Sequence, residues 1–309
     1  MLWNPNDRDS DGYTALHIAC KANNLDLVKL MLSVAHSDPN VMSKNEKMPL
    51  QLTSDLRTMK ILVEHGAKMP ADVTFKLITN YAMDSIASKI FKLSAQKGTM
   101  LWSPDDLNRD GYTALHLACK ADNLAFVKLL LYVAHCDPNV KSSYSEEAPL
   151  QLTSDLRIMK SLVQHDAKMT TDVVFKVISS KYASDPRASE ILKLSINKGT
   201  MLWNPNDLNC DGYTALHLLC KDDNETMVNL LLSVAHCDPN VKSNREEVPL
   251  QMTTNTEIIK DLIRHGAKTS IMYASHQNPL RTSKPVQPPV KVFIVGNPSV
   301  GKSTLTAAL

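Results

Sequence analysis

One stretch near the C-terminus has the residue types and spacing to hold a phosphate. Gly296-Asn297-Pro298-Ser299-Val300-Gly301-Lys302-Ser303 reads Gly-x-x-x-x-Gly-Lys-Ser. Gly296 and Gly301 let the backbone turn tightly, so that its N–H groups can surround an anion. Lys302 would reach the β- and γ-phosphates of a nucleotide, and Ser303 would ligate Mg²⁺. Thr304 completes the candidate set. The run Lys291-Val292-Phe293-Ile294-Val295 before it is short, apolar and β-branched, as a buried parallel strand would be. A helix from about Lys302 to Leu309 would set its positive end at the anion.

Histidine and cysteine are the other chemical candidates. His135-Cys136 and His236-Cys237 are zinc ligands by type, but the first copy of the same stretch has Ser37 at the cysteine position. A repeated metal site is therefore not maintained, and no metal site is assigned. Cys20, Cys119 and Cys220 fall on an inward stripe and read as small core residues. The six cysteines form no Cys-x-x-Cys pair. No Ser/His/Asp or paired-carboxylate arrangement stands out, so no catalytic residue is assigned.

The elements around these residues repeat. Asp11-Gly12-Tyr13-Thr14-Ala15-Leu16-His17 returns at 110–116 and again at 211–217. From Asp11 and from Asp110, 24 of 31 aligned positions are identical, which makes the segments tandem copies. Asp38-Pro39-Asn40-Val41, Pro49-Leu50-Gln51 and His65-x-Ala67-Lys68 travel with them, and nine of the ten histidines sit at such equivalent places.

A period near 100 residues is about three times 33, and Gly-x-Thr-x-Leu-His precedes an apolar second helix. From Asp7 to Lys268 the chain resembles ankyrin-repeat proteins. The resemblance implies an all-α solenoid of about eight helix-pair units in 100-residue super-repeats, with modules of about 1–99, 100–200 and 201–268. In the first unit, Thr14 to Asn23 is expected to be one helix, with Thr14 near its N-cap and Leu16, Ala19 and Cys20 inward. Leu25 to Ala35 is expected to be the second, with Leu27, Val28, Leu30, Met31 and Val34 at helical spacing. The second unit predicts a shortened first helix at Met48–Leu52, then Leu56 to His65. The third predicts Val73 to Ala82 and Ile86 to Gln96. Extra residues around Ser179 to Arg187 predict an enlarged loop.

Stacked helix pairs bury one continuous core and leave a concave face, with loops projecting as fingers. The finger tips read Arg8-Asp9-Ser10, Leu107-Asn108-Arg109 and Leu208-Asn209-Cys210. Frame residues stay fixed while tips change, as on a binding surface and equally as under drift on a solvated loop. The resemblance implies protein partners on the concave face and fingers, and a histidine that hydrogen-bonds backbone in neighbouring loops.

Residues 269–290 carry Pro279, Pro285, Pro288 and Pro289 and read as an extended linker. Residues 291–309 then read as an incomplete α/β P-loop stub. Val295 to Leu305 looks like the loop of Ras-like GTPases, and its place after an ankyrin array resembles Roco proteins, whose domain would bind GTP and Mg²⁺ once complete. The switch threonine, the Asp-x-x-Gly segment and the Asn-Lys-x-Asp guanine reader of such a domain are expected beyond Leu309. An ankyrin–NACHT-type ATPase, or a passive adaptor with a degenerate P-loop, is the alternative. Met1 sits where Met100 and Met201 sit within later modules, so the array is expected to extend upstream as well.

Composition bounds the rest. Of 309 residues, 43% are hydrophobic and 21% charged, which excludes a largely disordered chain. A net charge of +2, with no long basic block, gives no reason to propose nucleic acid. No apolar run is long enough to span a membrane, and the first residues make no signal peptide, so an intracellular, cytoplasmic protein is expected.

Overall fold

The computed structural model describes residues 4–269, apart from 83, 180, 183 and 184. The chain divides into two compact units, one ending at Lys168 and the other starting at Met169.

In the first unit, α1 (Ala15–Lys21) starts where the sequence places it. Thr14 caps it in extended conformation, and its hydroxyl accepts the His17 N–H. The His17 ring in turn accepts the Thr14 N–H at 3.1 Å, closing a reciprocal cap. Leu16, Ala19 and Cys20 are buried, as expected. Asn24 caps α2 (Leu25–Ser33) by accepting the Leu27 N–H at 3.1 Å.

The face of α2 differs from the expectation. Val28 and Met31 are buried with Leu32, while Leu30 and Val34 are 49% and 68% exposed. Helical spacing alone admits two neighbouring stripes on so apolar a helix. Val34 is the C-cap that follows the last helical residue, its N–H still bonded to the Leu30 carbonyl.

The shortened helix α3 (Pro49–Leu52) has Pro49 in its first turn, where a missing N–H breaks no helical bond. Gln51 reaches back to accept the Met48 N–H at 2.8 Å. α4 (Leu56–Glu64) follows, capped by Asp55. Helices α5 (Ala71–Asn80) and α6 (Ser85–Gln96) form the third pair. The second copy in this unit repeats the pattern with α7 (Ala114–Lys120), α8 (Leu124–Tyr132), α9 (Pro149–Leu152) and α10 (Leu156–Gln164). Phe91 packs edge-on to Phe126 at 5.8 Å and against Trp102 at 6.2 Å, and both phenylalanines are fully buried.

In the second unit, α11 (Thr171–Ile178) and α12 (Pro186–Lys198) are joined across residues 179–185, where the sequence expects its enlarged loop. Then come α13 (Ala215–Lys221), α14 (Glu225–Ser233), a 3₁₀ turn at Pro249–Gln251 and α15 (Thr256–Arg264). The described residues thus hold the expected eight pairs, one of them opening with the 3₁₀ turn in place of an α-helix.

The all-α expectation needs one correction. β1 (Met69–Pro70) pairs in parallel with β2 (Met100–Leu101), and β3 (Met169–Thr170) with β4 (Met201–Leu202). Each bridge closes the chain across one intervening helix pair. Two-residue strands carry no alternation in sequence, so no periodicity announces them.

Candidate interaction surface

Each finger is built on a turn closed by its own side chain. Asp9 Oδ1 accepts the N–H groups of Asp11 (2.9 Å) and Tyr13 (2.8 Å), and the Gly12 N–H donates to the Asp9 carbonyl at 3.0 Å. Asn108 serves Asp110 and Tyr112 in the same way, and Asn209 serves Asp211 and Tyr213. The middle residue of each tip is therefore a structural Asx residue. This narrows the sequence reading, which treats all three tip residues as one variable set. Only the flanking positions, Arg8, Leu107 and Leu208 before and Ser10, Arg109 and Cys210 after, are free of that task, and all six are exposed.

The finger then locks to the turn that follows it. Gly12 has φ +79°, and a Cβ there would lie 2.6 Å from the backbone nitrogen of Lys44. That nitrogen donates to the Asp11 carbonyl at 3.1 Å, and Ser143 and Asn244 donate likewise to Gly111 and Gly212.

The buried histidines complete the lock. His17 accepts from Thr14 through Nδ1, so Nε2 carries the proton and donates to the Lys47 carbonyl at 3.0 Å. His116 and His217 donate to Glu147 and Glu247 at 2.9 Å each. Burial lowers the pKa of all three, partly offset by these bonds to carbonyls. The implied structural role of this histidine is thus what the structure shows. His65, His165 and His265 turn Nδ1 onto the carbonyl four residues back. His36, His135 and His236 hold the left-handed backbone that ends a helix, with φ of 53°, 55° and 54°.

Next to the lock, the Lys120 ammonium stands over the Tyr112 ring at 5.1 Å, and Lys21 over Tyr13 at 5.7 Å. Cys20, Cys119 and Cys220 are buried core residues, as the sequence indicates. Burial pushes Cys20 up to about 12 and raises Cys119 and Cys220 further. Cys136 and Cys237 are buried as well and pushed up to about 12. Among the described residues, no three His, Cys, Asp or Glu side chains gather as metal ligands would. Gly296, Gly301, Lys302, Ser303 and Thr304, the linker before them and the strand at 291–295 lie outside the described residues.

Sequence reasoning did not foresee Asn40. Its carboxamide donates to the Gly66 carbonyl at 3.1 Å and accepts the Lys68 N–H at 2.7 Å, as a backbone amide would in a sheet. Asn139 and Asn240 repeat this on the following loops. The recurrence of Asp-Pro-Asn with His-x-Ala-Lys was the available signal.

The family model for ankyrin repeats (many copies) matches residues 2–52, 97–152 and 197–252, just over half of the chain. The chain belongs to the ankyrin-repeat family. It is 23% identical over 330 aligned positions to "Inhibitor of Apoptosis OPG037" of Monkeypox virus, covering 88% of this chain and 73% of that protein. Among solved structures it resembles the ankyrin repeat domain of Bcl-3, a member of the IkappaB protein family. The identity is 20% and the TM-score 0.34, over 82% of this chain and 100% of that one. Ankyrin repeats are protein-interaction scaffolds. No helix among the described residues is long and apolar enough to cross a membrane.

Proposed function

We propose that this chain recognises protein partners through its fingers and the inner helices beside them. The supporting observation is the division of labour within each tip. A pinned Asx residue and a locked glycine hold the frame, while the exposed neighbours change from Arg8 to leucine at 107 and 208 on one side and from Ser10 to Arg109 to Cys210 on the other. Rigid frames with variable contact residues lower the ordering entropy of binding. The test captures cross-linked partners on the full chain. Exchanging the residues flanking Asp9, Asn108 and Asn209 should change the set of proteins recovered. An unchanged set contradicts finger-based recognition.

We further propose that in the complete protein this scaffold is coupled to a GTP-binding, Roc-like domain using Mg²⁺. Gly296, Gly301, Lys302, Ser303 and Thr304 would hold the phosphates and the metal. The support is the sequence motif, with a short apolar run before it and a helix expected from the sequence after it. Mg²⁺-dependent binding of fluorescent GTP is expected of a chain that holds the whole domain, and Lys302→Ala should abolish it. Preference for ATP over GTP would overturn the guanine reading.

A further inference from the structure

The three finger tips share a frame, but the turns that lock onto them differ in length. The turn that locks onto the second finger is one residue longer than its counterparts. Ser142 N–H closes on Glu147, five residues on, whereas Ser43 closes on Lys47 and Ser243 on Glu247, four residues on. The longer turn carries Tyr144. Its ring rests on Gly111, where a Cβ would lie 2.9 Å from Cδ2, yet the residue is 79% exposed. Leu107, on the chain entering the finger turn at 108–112 to which Ser143 is bonded, is 45% exposed. The first finger has Arg8 and Asn45 in these places, and the third has Leu208 and Arg245.

Charge separates the second tip clearly from the first and only slightly from the third, whose matching stretches hold Asp207, Asp211, Glu246 and Glu247 against Lys242 and Arg245. The second tip carries Asp105, Asp106, Asp110, Glu146 and Glu147. Within these stretches Arg109 and Lys141 oppose them, Lys141 pairing with Glu146 at 3.2 Å, and Lys120 stands nearby over the Tyr112 ring. The matching stretches of the first finger hold nearly equal numbers of both signs.

We propose that the tip of the second finger docks a protein segment in which an apolar side chain is flanked by lysine or arginine. Tyr144 and Leu107 provide the apolar anchor point, since exposed tyrosine offers large contact area with few rotors to freeze. The carboxylates around them complement basic flanks and repel acidic ones. This assignment rests on the scaffold reading above and names one tip and its partner chemistry.

The test measures fluorescence anisotropy with the full chain and three labelled peptides. One places leucine between arginines, one replaces arginine by glutamate, and one replaces leucine by alanine. The first should bind, and both others should bind at least about tenfold more weakly. The double substitution Leu107→Arg and Tyr144→Asn installs residues that the first finger already holds. It should weaken the first peptide by about tenfold or more while leaving the circular dichroism unchanged. Equal binding by the double variant overturns the tip assignment and leaves the scaffold reading standing. Full displacement by spermine, or equal binding of the alanine peptide, overturns the apolar anchor. Binding of none of the peptides overturns the partner chemistry, while the cross-linking experiment decides the scaffold reading separately.

Discussion

His116 Nε2 donates to the carbonyl of Glu147, 31 residues further on, at 2.9 Å. The same ring accepts the Thr113 N–H through Nδ1 at 3.2 Å. One fully buried side chain thus caps a helix and fastens the next finger turn to it.

His116→Ala should lower the free energy of unfolding by about 2–4 kcal/mol, because it leaves a cavity and an unpaired carbonyl. His135→Ala, at an exposed position, should lower it by less than about 1 kcal/mol. Urea denaturation of the two variants compares them, and equal losses would contradict the lock.

Acid should loosen all three locks together. Burial holds His17, His116 and His217 below the ordinary imidazole pKa, so the unfolded chain takes up protons first. Their contribution is complete above about pH 6.5 and is lost as pH falls from there towards the depressed native values. The melting temperature should therefore drop between about pH 7 and pH 5. The pKa values of Asp55 and Asp185 are held low, by hydrogen bonds to Thr58 and to Arg187 respectively, so these carboxylates lose their contribution only at more acid pH. A flat melting temperature over that window would contradict the neutral, buried histidines.

The repeat also supplies its own controls for buried polar atoms. Ser37 Oγ and Thr74 Oγ1 are buried without a hydrogen-bond partner. The equivalent positions hold Cys136 and Cys237, and Val174, all buried. Ser37→Cys and Thr74→Val should each stabilise the chain by about 1 kcal/mol. Thermal denaturation reads the gain, and a loss would mean that either hydroxyl finds a partner.

Much of this was legible in the sequence, and the reasons differ by element. The start of α1 could be read because Thr14 is an N-cap residue type placed just before Leu16, Ala19 and Cys20 at helical spacing. The eight pairs followed from the repeat. The buried face of α2 could not be read, because Leu30 and Leu32 are equally apolar and only tertiary packing separates them. The Asx role of Asp9 was hidden by the change to Asn108 and Asn209, which looks like variation but keeps the accepting oxygen. Of the proposed contact residues, Leu107 stood within the variable tip, whereas Tyr144 gave no signal. Its turn becomes part of the same tip only through the bond from Ser143 to Gly111.

Glycine at the finger lock should be replaceable by nothing larger. Gly12→Ala meets both a positive φ and the Lys44 backbone, and should cost about 2 kcal/mol or more. Gly66→Ala has φ +84° but open space around it, and should cost only about 1 kcal/mol. A denaturation series comparing the two isolates the close approach, and equal costs would contradict it.

The ties at His17, His116 and His217 reach 30, 31 and 30 residues ahead, and those of Asn40 reach 26 and 28. Each spans about one unit and meets the same chemistry in the next copy. At the level of the gene, an unequal crossover that inserts or deletes one block of about a hundred codons would leave every such tie with an equivalent partner. The array can thus change length by recombination without inventing a new junction. One copy can then differ in length at a single turn, as the turn bearing Tyr144 does, while every tie around it is kept.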